Sequence, residues 1–283
     1  MAKKIDVTFH IFLRGIIMLG FAILLLSLLL TESIYFYISP SMVGFSYLAT
    51  VIFFVLGLFQ IFRSAYPKDP HSCNEDHHIP ASTSINMIAY SLFLIPIFAG
   101  ILLPSATLNS EIVANRGTQT IEPSSQEETN STSDSHSAVI SEQEVRQEQG
   151  EDMAEKLAEQ TEIVLDDGNY VDVMRGIGQG GERLHGQDMD FTGFVYKDPA
   201  MNDDEFLVAR FVITCCLADA VVYAFHVSAE DAQLYEMDSW VRVKGELANN
   251  ENAEGSDPYV KAAEIEKIPE PDQPYVYDEF DFF

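Results

Sequence analysis

Basic side chains are scarce in this chain: 16 Lys and Arg stand against 44 Asp and Glu, a formal net charge of −28. Nucleic acids and anionic lipid head groups would be repelled by such a surface, which argues against both as partners. Residues 1–104 carry five basic and five acidic side chains, so the whole imbalance lies beyond Pro104. A neutral apolar front joined to an acidic back indicates a membrane anchor followed by a water-facing domain.

Cysteine is also scarce, since the chain has three, and two of them are adjacent at Cys215 and Cys216 within "RFVITCCLADA". Adjacent Cα atoms are about 3.8 Å apart, whereas a disulfide prefers roughly 4.4–6.8 Å. A structural disulfide between the two is therefore disfavoured. Three interpretations stay open: buried structural thiols, a metal or ligand site, and thiol redox chemistry.

Catalytic signatures are lacking as well: the sequence contains no nucleophile elbow, zinc-protease helix or phosphate loop, and nothing in it indicates an enzyme. The glycine-rich "GIGQGG" at residues 176–181 is followed by a strand pattern, not by the helix that a dinucleotide site needs. We expect a flexible turn there.

Three apolar stretches, at residues 11–30, 42–62 and 85–104, are long enough to cross a bilayer, which takes roughly 20 residues. A cleaved signal peptide is the alternative for the first, but its apolar run is long and no cleavage site follows. The basic residues that flank the spans are Lys3, Lys4, Arg14, Arg63 and Lys68. The positive-inside rule then places the N-terminus and the loop 63–84 in the cytoplasm, and everything after residue 104 outside. The sequence thus predicts a multi-pass protein of the lipid bilayer.

The predicted cytoplasmic loop contains "HSCNEDHH", with candidate ligands His71, Cys73, His77 and His78 beside Glu75 and Asp76. These side chains suit a borderline metal such as zinc. Their spacing matches no standard zinc finger, so a solvated polar loop is the alternative.

Residues 105–160 are rich in Ser, Thr, Glu and Gln and show no apolar periodicity, which predicts a disordered acidic linker. Helix-forming residues between 142 and 164 predict a short helix leading into the next domain. The predicted organisation is a membrane anchor at 1–104, the linker at 105–160 and an extracytoplasmic β-rich domain at 161–283.

The last domain shows alternating apolar runs bounded by turn signals. They predict five strands at 189–198, 205–214, 219–227, 240–247 and 259–268, with a short helix at 228–237. A helix between the third and fourth of five strands is typical of a small OB-like β-barrel. The predicted fold class is therefore membrane-anchored α + β.

Alternation along the second strand puts Cys215 on an apolar face as a core thiol, and Cys216 on the face of Arg210, whose charge would lower the pKa of that thiol. A bend at residues 214–217 would instead bring both sulfurs to one metal ion. The candidates to complete that site are Asp219, His226 and His185, and the donors suit zinc or another soft metal ion. Asp219 has an alternative role, bonding the backbone amides of its own turn.

Several segments together resemble the YcgQ-like family of bacterial membrane proteins: the anchor sequence at 13–61, "GFVYKDP", "RFVITCCLADA", "WVRVKGEL" and "PYVY". The most diagnostic is "RFVITCCLADA". The resemblance implies a multi-pass protein of a Gram-positive cell membrane, paired with a separate integral-membrane permease as a two-part transport system. We predict a membrane-anchored accessory subunit of such a permease system, related to metal ions. The alternatives are an extracytoplasmic thiol-redox protein and a non-catalytic envelope-binding scaffold.

Overall fold

The computed structural model describes residues 2–65, 83–102, 107–116, 148–199, 201–249 and 258–278. The chain divides into two compact units, Met1–Ala106 and Thr107–Phe283. The first is helical and the second is built around a β-sheet.

The described residues of the N-terminal unit form three α-helices: α1 (Ala2–Leu30), α2 (Val43–Ala65) and α3 (Thr83–Leu102). Two of its helical stretches, Phe9–Leu30 and Pro40–Ala65, are long and apolar enough to cross a membrane. They confirm two apolar N-terminal helices. A helix also occupies the third predicted span, but its strongly apolar part, Tyr90–Leu102, is shorter than a bilayer requires. The third crossing stays a prediction.

Glycines let the helices of this unit approach closely. A Cβ on Gly57 of α2 would lie 2.8 Å from Leu19 Cγ of α1, and one on Gly100 of α3 would lie 2.9 Å from Leu24 Cδ1. The outward face of α2 carries exposed aromatic side chains, among them Phe45 and Phe59. An exposed apolar surface of this extent marks a membrane or protein contact, so the unit is suited to hydrocarbon surroundings.

The C-terminal unit contains a seven-stranded sheet of order β1-β2-β5-β6-β4-β3-β7, with an additional β2–β3 pairing. The strands are β1 (Glu162–Val164), β2 (Asp188–Tyr196), β3 (Glu205–Ile213), β4 (Val221–Ser228), β5 (Trp240–Asn249), β6 (Pro258–Ile268) and β7 (Tyr275–Tyr277). The five longer strands are those that alternation predicted; β1 and β7 were not predicted. Strand β4 runs parallel to β6, and β3 runs antiparallel to β4.

Strand β3 is buried on both faces. On one face Phe206, Val208 and Val212 lie in the main core, which also contains Met174 and Ile177 of the helix Tyr170–Gly180. On the opposite face Phe211 stacks on Phe194 of β2, with ring centroids 5.3 Å apart. Because both faces are covered, this strand reads as a continuous apolar run.

Helix α6 (Tyr170–Gly180) covers most of the glycine-rich segment, so the predicted turn at 176–181 is wrong. Its apolar side chains are buried in the core, while Gly176 faces helix α5 (residues 148–158), where a Cβ would lie 2.7 Å from Met153 Cγ. Close packing of two helices favours glycine here despite its low helix propensity. The helix ends at Gly180, and Gly181 adopts a φ of 51°, which glycine takes readily.

The helix predicted at 228–237 is also wrong, because only the 3-10 turn Ala232–Leu234 forms. Ser228, the expected N-cap, belongs to β4 and pairs with Glu205. The next backbone N–H, that of Ala229, donates to the Asp204 carbonyl. The backbone of Ser228 and Ala229, which was expected to start a helix, instead pairs with Glu205 and Asp204 at the start of β3.

Structured elements reach into the predicted linker from both sides. Helix α4 (Ser110–Arg116) and the segment before it are hydrogen-bonded to the sheet unit. The Leu108 N–H donates to Tyr275 Oη at 2.8 Å. The Ser110 N–H and hydroxyl donate to the Asp238 carboxylate at 2.7 and 2.8 Å. Helix α5 buries Ala154 and Leu157. A helix leading into the domain is thus present, and the linker prediction for 117–147 falls outside the described residues.

Candidate functional site

The adjacent cysteines lie in a turn, not in a strand. Strand β3 ends at Ile213, and a 3-10 turn at Leu217–Asp219 then leads into β4. Cys215 is exposed and Cys216 is half-buried. The expectation that Cys215 is a core thiol is therefore wrong, because strand alternation stops two residues before it.

Asp219 closes this turn through its carboxylate. Oδ2 accepts a hydrogen bond from the Cys215 N–H at 2.7 Å, and Oδ1 accepts one from the Cys216 N–H at 3.3 Å. Its predicted alternative role, bonding the amides of its own turn, is confirmed. These hydrogen bonds hold the backbone of the turn in one geometry and so fix the positions of the Cβ atoms of both cysteines.

The bend brings three donor atoms together. The two sulfurs of Cys215 and Cys216 are 3.7 Å apart, too far for a disulfide and close enough to share one ion. One donor atom from each of Cys215, Cys216 and Asp219 lies within 4.8 Å of the others. Among the described residues this is the one such group of three or more His, Cys, Asp or Glu side chains.

Neither candidate histidine joins the cluster. His226 pairs with Leu207 near the start of β3, whereas the cysteines follow its end beyond Val212. Five residues along a strand correspond to about 17 Å, so the sheet register itself separates them. His185 follows the 3-10 turn Gly181–Leu184 and is not part of the cluster either.

Hydrogen bonding in the turn shapes its acid–base chemistry. The bond from the Cys215 thiol to Asp219, reinforced by Cys216, raises the pKa of Cys215 to about 12. Burial opposes ionisation of Asp219, but the bonds that it accepts from the Cys215 thiol and from backbone N–H groups outweigh burial, so its pKa lies below the usual value. The raised pKa disfavours the thiolate of Cys215, which is the reactive form of a cysteine.

Arg210 lies in the core rather than at the turn. Its side chain is 3% exposed, donates to Asp167 at 2.7 Å and to Thr192 at 3.2 Å, and lies 5.2 Å from the centroid of the Trp240 ring. The Arg210 guanidinium therefore interacts with Asp167, Thr192 and Trp240 and not with the turn at 215–219. Sequence reasoning missed Asp167, although a charged residue inside an apolar strand signals the need for an acidic partner.

The second set of candidate ligands, His71, Cys73, His77 and His78, lies outside the described residues. In the part of the chain that the structure describes, the turn at 215–219 is the group of side chains that could bind a metal ion.

Comparison with known proteins identifies two matching family domains. The DUF1980 N-terminal domain matches residues 13–119, and the DUF1980 C-terminal domain matches residues 140–278. The UPF0703 protein YcgQ of Bacillus subtilis (strain 168) is 30% identical over 197 residues, which are 68% of this chain and 69% of that protein. A protein of Streptococcus mutans serotype c, provisionally named a two-component membrane permease complex subunit, is 24% identical over 278 residues, 95% of this chain and 100% of the relative.

Proposed function

The chain belongs to the DUF1980 family, and on that premise we propose that it is the membrane-anchored accessory subunit of a two-part permease system. The observation that carries the proposal is sequence similarity over the full length of a relative that is named for a permease complex. This chain joins two apolar helices to a separate β-sheet unit, and its alignment with the relative named for a permease complex covers that relative from end to end.

The composition of the helices supports an accessory role rather than a transport path of its own. In the two membrane-capable stretches, Phe9–Leu30 and Pro40–Ala65, the Asp, Glu, Lys, Arg and His side chains are His10, Arg14 and Arg63, and each lies within six residues of an end of its stretch. Pathways for ions or polar solutes are lined by ionisable or polar groups inside the membrane. We therefore assign the pathway to a separate integral-membrane permease.

We also propose the finer anatomy. Helix α3 makes a third crossing, the N-terminus faces the cytoplasm, and the sheet unit stands outside the cell membrane of a Gram-positive bacterium. Within that unit the pairings β2–β3, β3–β4, β4–β6, β6–β5 and β5–β2 return to the strand where they began, and β4–β6 is parallel. This connectivity supports an OB-like barrel as the fold of the sheet unit.

The cargo is proposed to be a metal ion, because the two thiols and the carboxylate at the turn offer metal ligands on a strongly acidic domain.

Affinity purification of the tagged full chain from its own membranes, after cross-linking in the intact membrane, tests the partnership. We expect a multi-pass permease to be enriched relative to an unrelated three-span protein that carries the same tag. Recovery of the chain without any enriched multi-pass protein would count against the accessory role. Fusing a tag to each end and probing it from outside the cell tests the orientation separately.

A further inference from the structure

The separation of the two sulfurs is close to the edge length of a tetrahedral metal site. Cys215 Sγ and Cys216 Sγ are 3.7 Å apart. Two thiolates bound to a tetrahedral zinc ion at about 2.3 Å each lie about 3.8 Å from one another, whereas two on opposite sides of a linear ion would lie about 4.6 Å apart. The sulfur–sulfur distance in the turn is thus close to that of tetrahedral coordination and shorter than that of linear coordination.

Asp219 supplies the third ligand. Its carboxylate has a donor atom within 4.8 Å of both sulfurs and is held by the backbone N–H groups of Cys215 and Cys216. A carboxylate has about four acceptor positions, so these hydrogen bonds leave capacity for an ion. The same amides act as the outer partners that orient a ligating carboxylate.

Exposure distinguishes this turn from a structural metal site. Structural zinc sites are closed by four protein ligands, whereas sites with three protein ligands keep one exchangeable position. Here the described residues contribute three, and Cys215 is exposed to solvent. An ion held in this way can be accepted from solution and passed on.

We propose that Cys215, Cys216 and Asp219 form a transfer site for a soft divalent cation of the zinc type. This inference rests on the proposed function and deepens it by naming the class of cargo that the accessory subunit presents to its permease. Binding forms two metal–sulfur bonds and one metal–oxygen bond, and the two thiol protons leave to solvent. The formal charge of −28 on the chain favours the approach of a cation.

Cobalt(II) substitution in the purified full-length chain is the direct probe, because thiolate ligation gives a charge-transfer band and tetrahedral geometry gives intense visible bands. The experiment compares a reference protein, Cys215→Ser, Cys216→Ser and Asp219→Asn. Cys73→Ser is the matched control, since it removes the one remaining cysteine. The reference protein is the chain with Ala at His71, His77 and His78, and every variant carries the same three substitutions, so that the predicted cytoplasmic loop cannot supply the signal. Competition with zinc(II) then gives relative affinities.

We expect one cobalt ion per chain with thiolate bands in the reference protein and in Cys73→Ser. Each of Cys215→Ser and Cys216→Ser should weaken zinc binding by at least about 100-fold, and Asp219→Asn by about 10–100-fold with part of the thiolate band retained. Unchanged Trp240 fluorescence and unchanged melting of each variant show that the fold is intact. Equal metal binding in all variants, or loss of the bands in Cys73→Ser instead, overturns the site.

Co-purification keeps the two proposals separable. If Cys215→Ser and Cys216→Ser lose the metal and still recover the permease, the site and the accessory role both stand. If the variants bind cobalt as the reference protein does while the permease is recovered, the accessory role stands and the metal site fails. If cobalt binding depends on the cysteines and no permease is recovered, the site stands as an ion-binding site and the assignment of the ion as cargo to a permease fails.

Discussion

Arg210 and Asp167 form an ion pair in which one partner is buried and the other is exposed. The guanidinium Nη2 lies 2.7 Å from Asp167 Oδ1, and the two side chains are 3% and 58% exposed. The buried cation therefore depends on a surface carboxylate for its main compensation, whereas the carboxylate on its own can be solvated by water. The two halves of this pair should respond differently to substitution.

Removing the carboxylate should cost more stability than removing the cation. Asp167→Ala leaves a buried guanidinium without its anion, and we expect a loss of about 3 kcal/mol in the free energy of unfolding. Arg210→Met removes the buried charge and fills its volume, so a smaller loss is expected. Denaturant unfolding of the solubilised chain, followed by the fluorescence of its one tryptophan, Trp240, measures both. The reverse ranking would contradict the assigned asymmetry.

The β2–β3 pairing can be tested at a glycine. A Cβ on Gly193 would lie 2.6 Å from the backbone carbonyl oxygen of Ala209, which has no room to move. We expect Gly193→Ala to destabilise the sheet unit by about 2 kcal/mol through overpacking. Gly168→Ala is the matched control, because the nearest atom there, Asp166 Oδ1, is at an ordinary 3.5 Å. Equal unfolding midpoints for the two variants would argue against the close approach of β2 and β3.

Stability should depend on pH through Asp190. Hydrogen bonds from Arg242, at 2.7 and 2.6 Å, hold the pKa of this buried carboxyl below its usual value. The ion pair therefore stabilises the fold above the unfolded-state pKa of about 3.9 and is lost as pH falls through the lower folded-state pKa. We expect Arg242→Gln to be less stable than wild type at pH 7, and the difference to shrink as the pH is lowered toward 3. A difference that stays constant across this range would show that the pair is not the cause.

Cys215 should become more reactive when Asp219 is neutralised. The carboxylate accepts the thiol hydrogen bond and is the largest cause of the raised pKa of Cys215. Asp219→Asn removes the negative charge, so the pKa falls toward its ordinary value and alkylation of the metal-free protein at pH 8 should quicken by about tenfold or more. Rates with iodoacetamide, in a background of Cys73→Ser and Cys216→Ser, measure this. An unchanged rate would mean that the carboxylate does not hold the thiol proton.

The three cysteines report the orientation of the chain in its own membrane. A membrane-impermeant maleimide on intact cells should label a Cys73→Ser, Asp219→Asn double variant through the exposed Cys215, because Asp219→Asn removes the carboxylate that raises the pKa of this thiol. A variant that keeps Cys73 alone should be labelled only after permeabilisation, because the positive-inside rule puts its loop in the cytoplasm. The opposite pattern would invert the proposed orientation.

The sequence predicted the elements whose signal is local and repeated. Strands such as β3 and β5 begin at their predicted residues because alternation and turn residues bound them. Strands β1 and β7 have three residues each, too few to show alternation, and they exist through pairing with β2 and β3. Helix α6 was missed because its glycines lower its helix propensity. Gly176 is explained by the close packing of α6 against α5, and this tertiary contact cannot be read from the local sequence.

At the candidate site the residue types were predictable and the geometry was not. The bond from Asp219 to its own turn follows from a local rule for aspartate. The exposure of Cys215 depends on where β3 ends, and an apolar run buried on both faces gives no sign of that end. The burial of Arg210 depends on Asp167, which lies 43 residues earlier in the chain.

The attachment of Ser110 to Asp238 changes what the acidic, serine-rich stretch can do. That stretch leaves the sheet unit after α4 and rejoins it at α5, so both of its ends are anchored in the same folded body. The stretch is therefore a loop within the sheet unit and not the tether that joins this unit to the membrane helices. Shortening it should change the free energy of unfolding only slightly, because the cost of closing a loop varies with the logarithm of its length. A protease that cuts there would leave a nicked but undivided domain, its two fragments held together by the bonds at Leu108 and Ser110 and by the buried side chain of Val113.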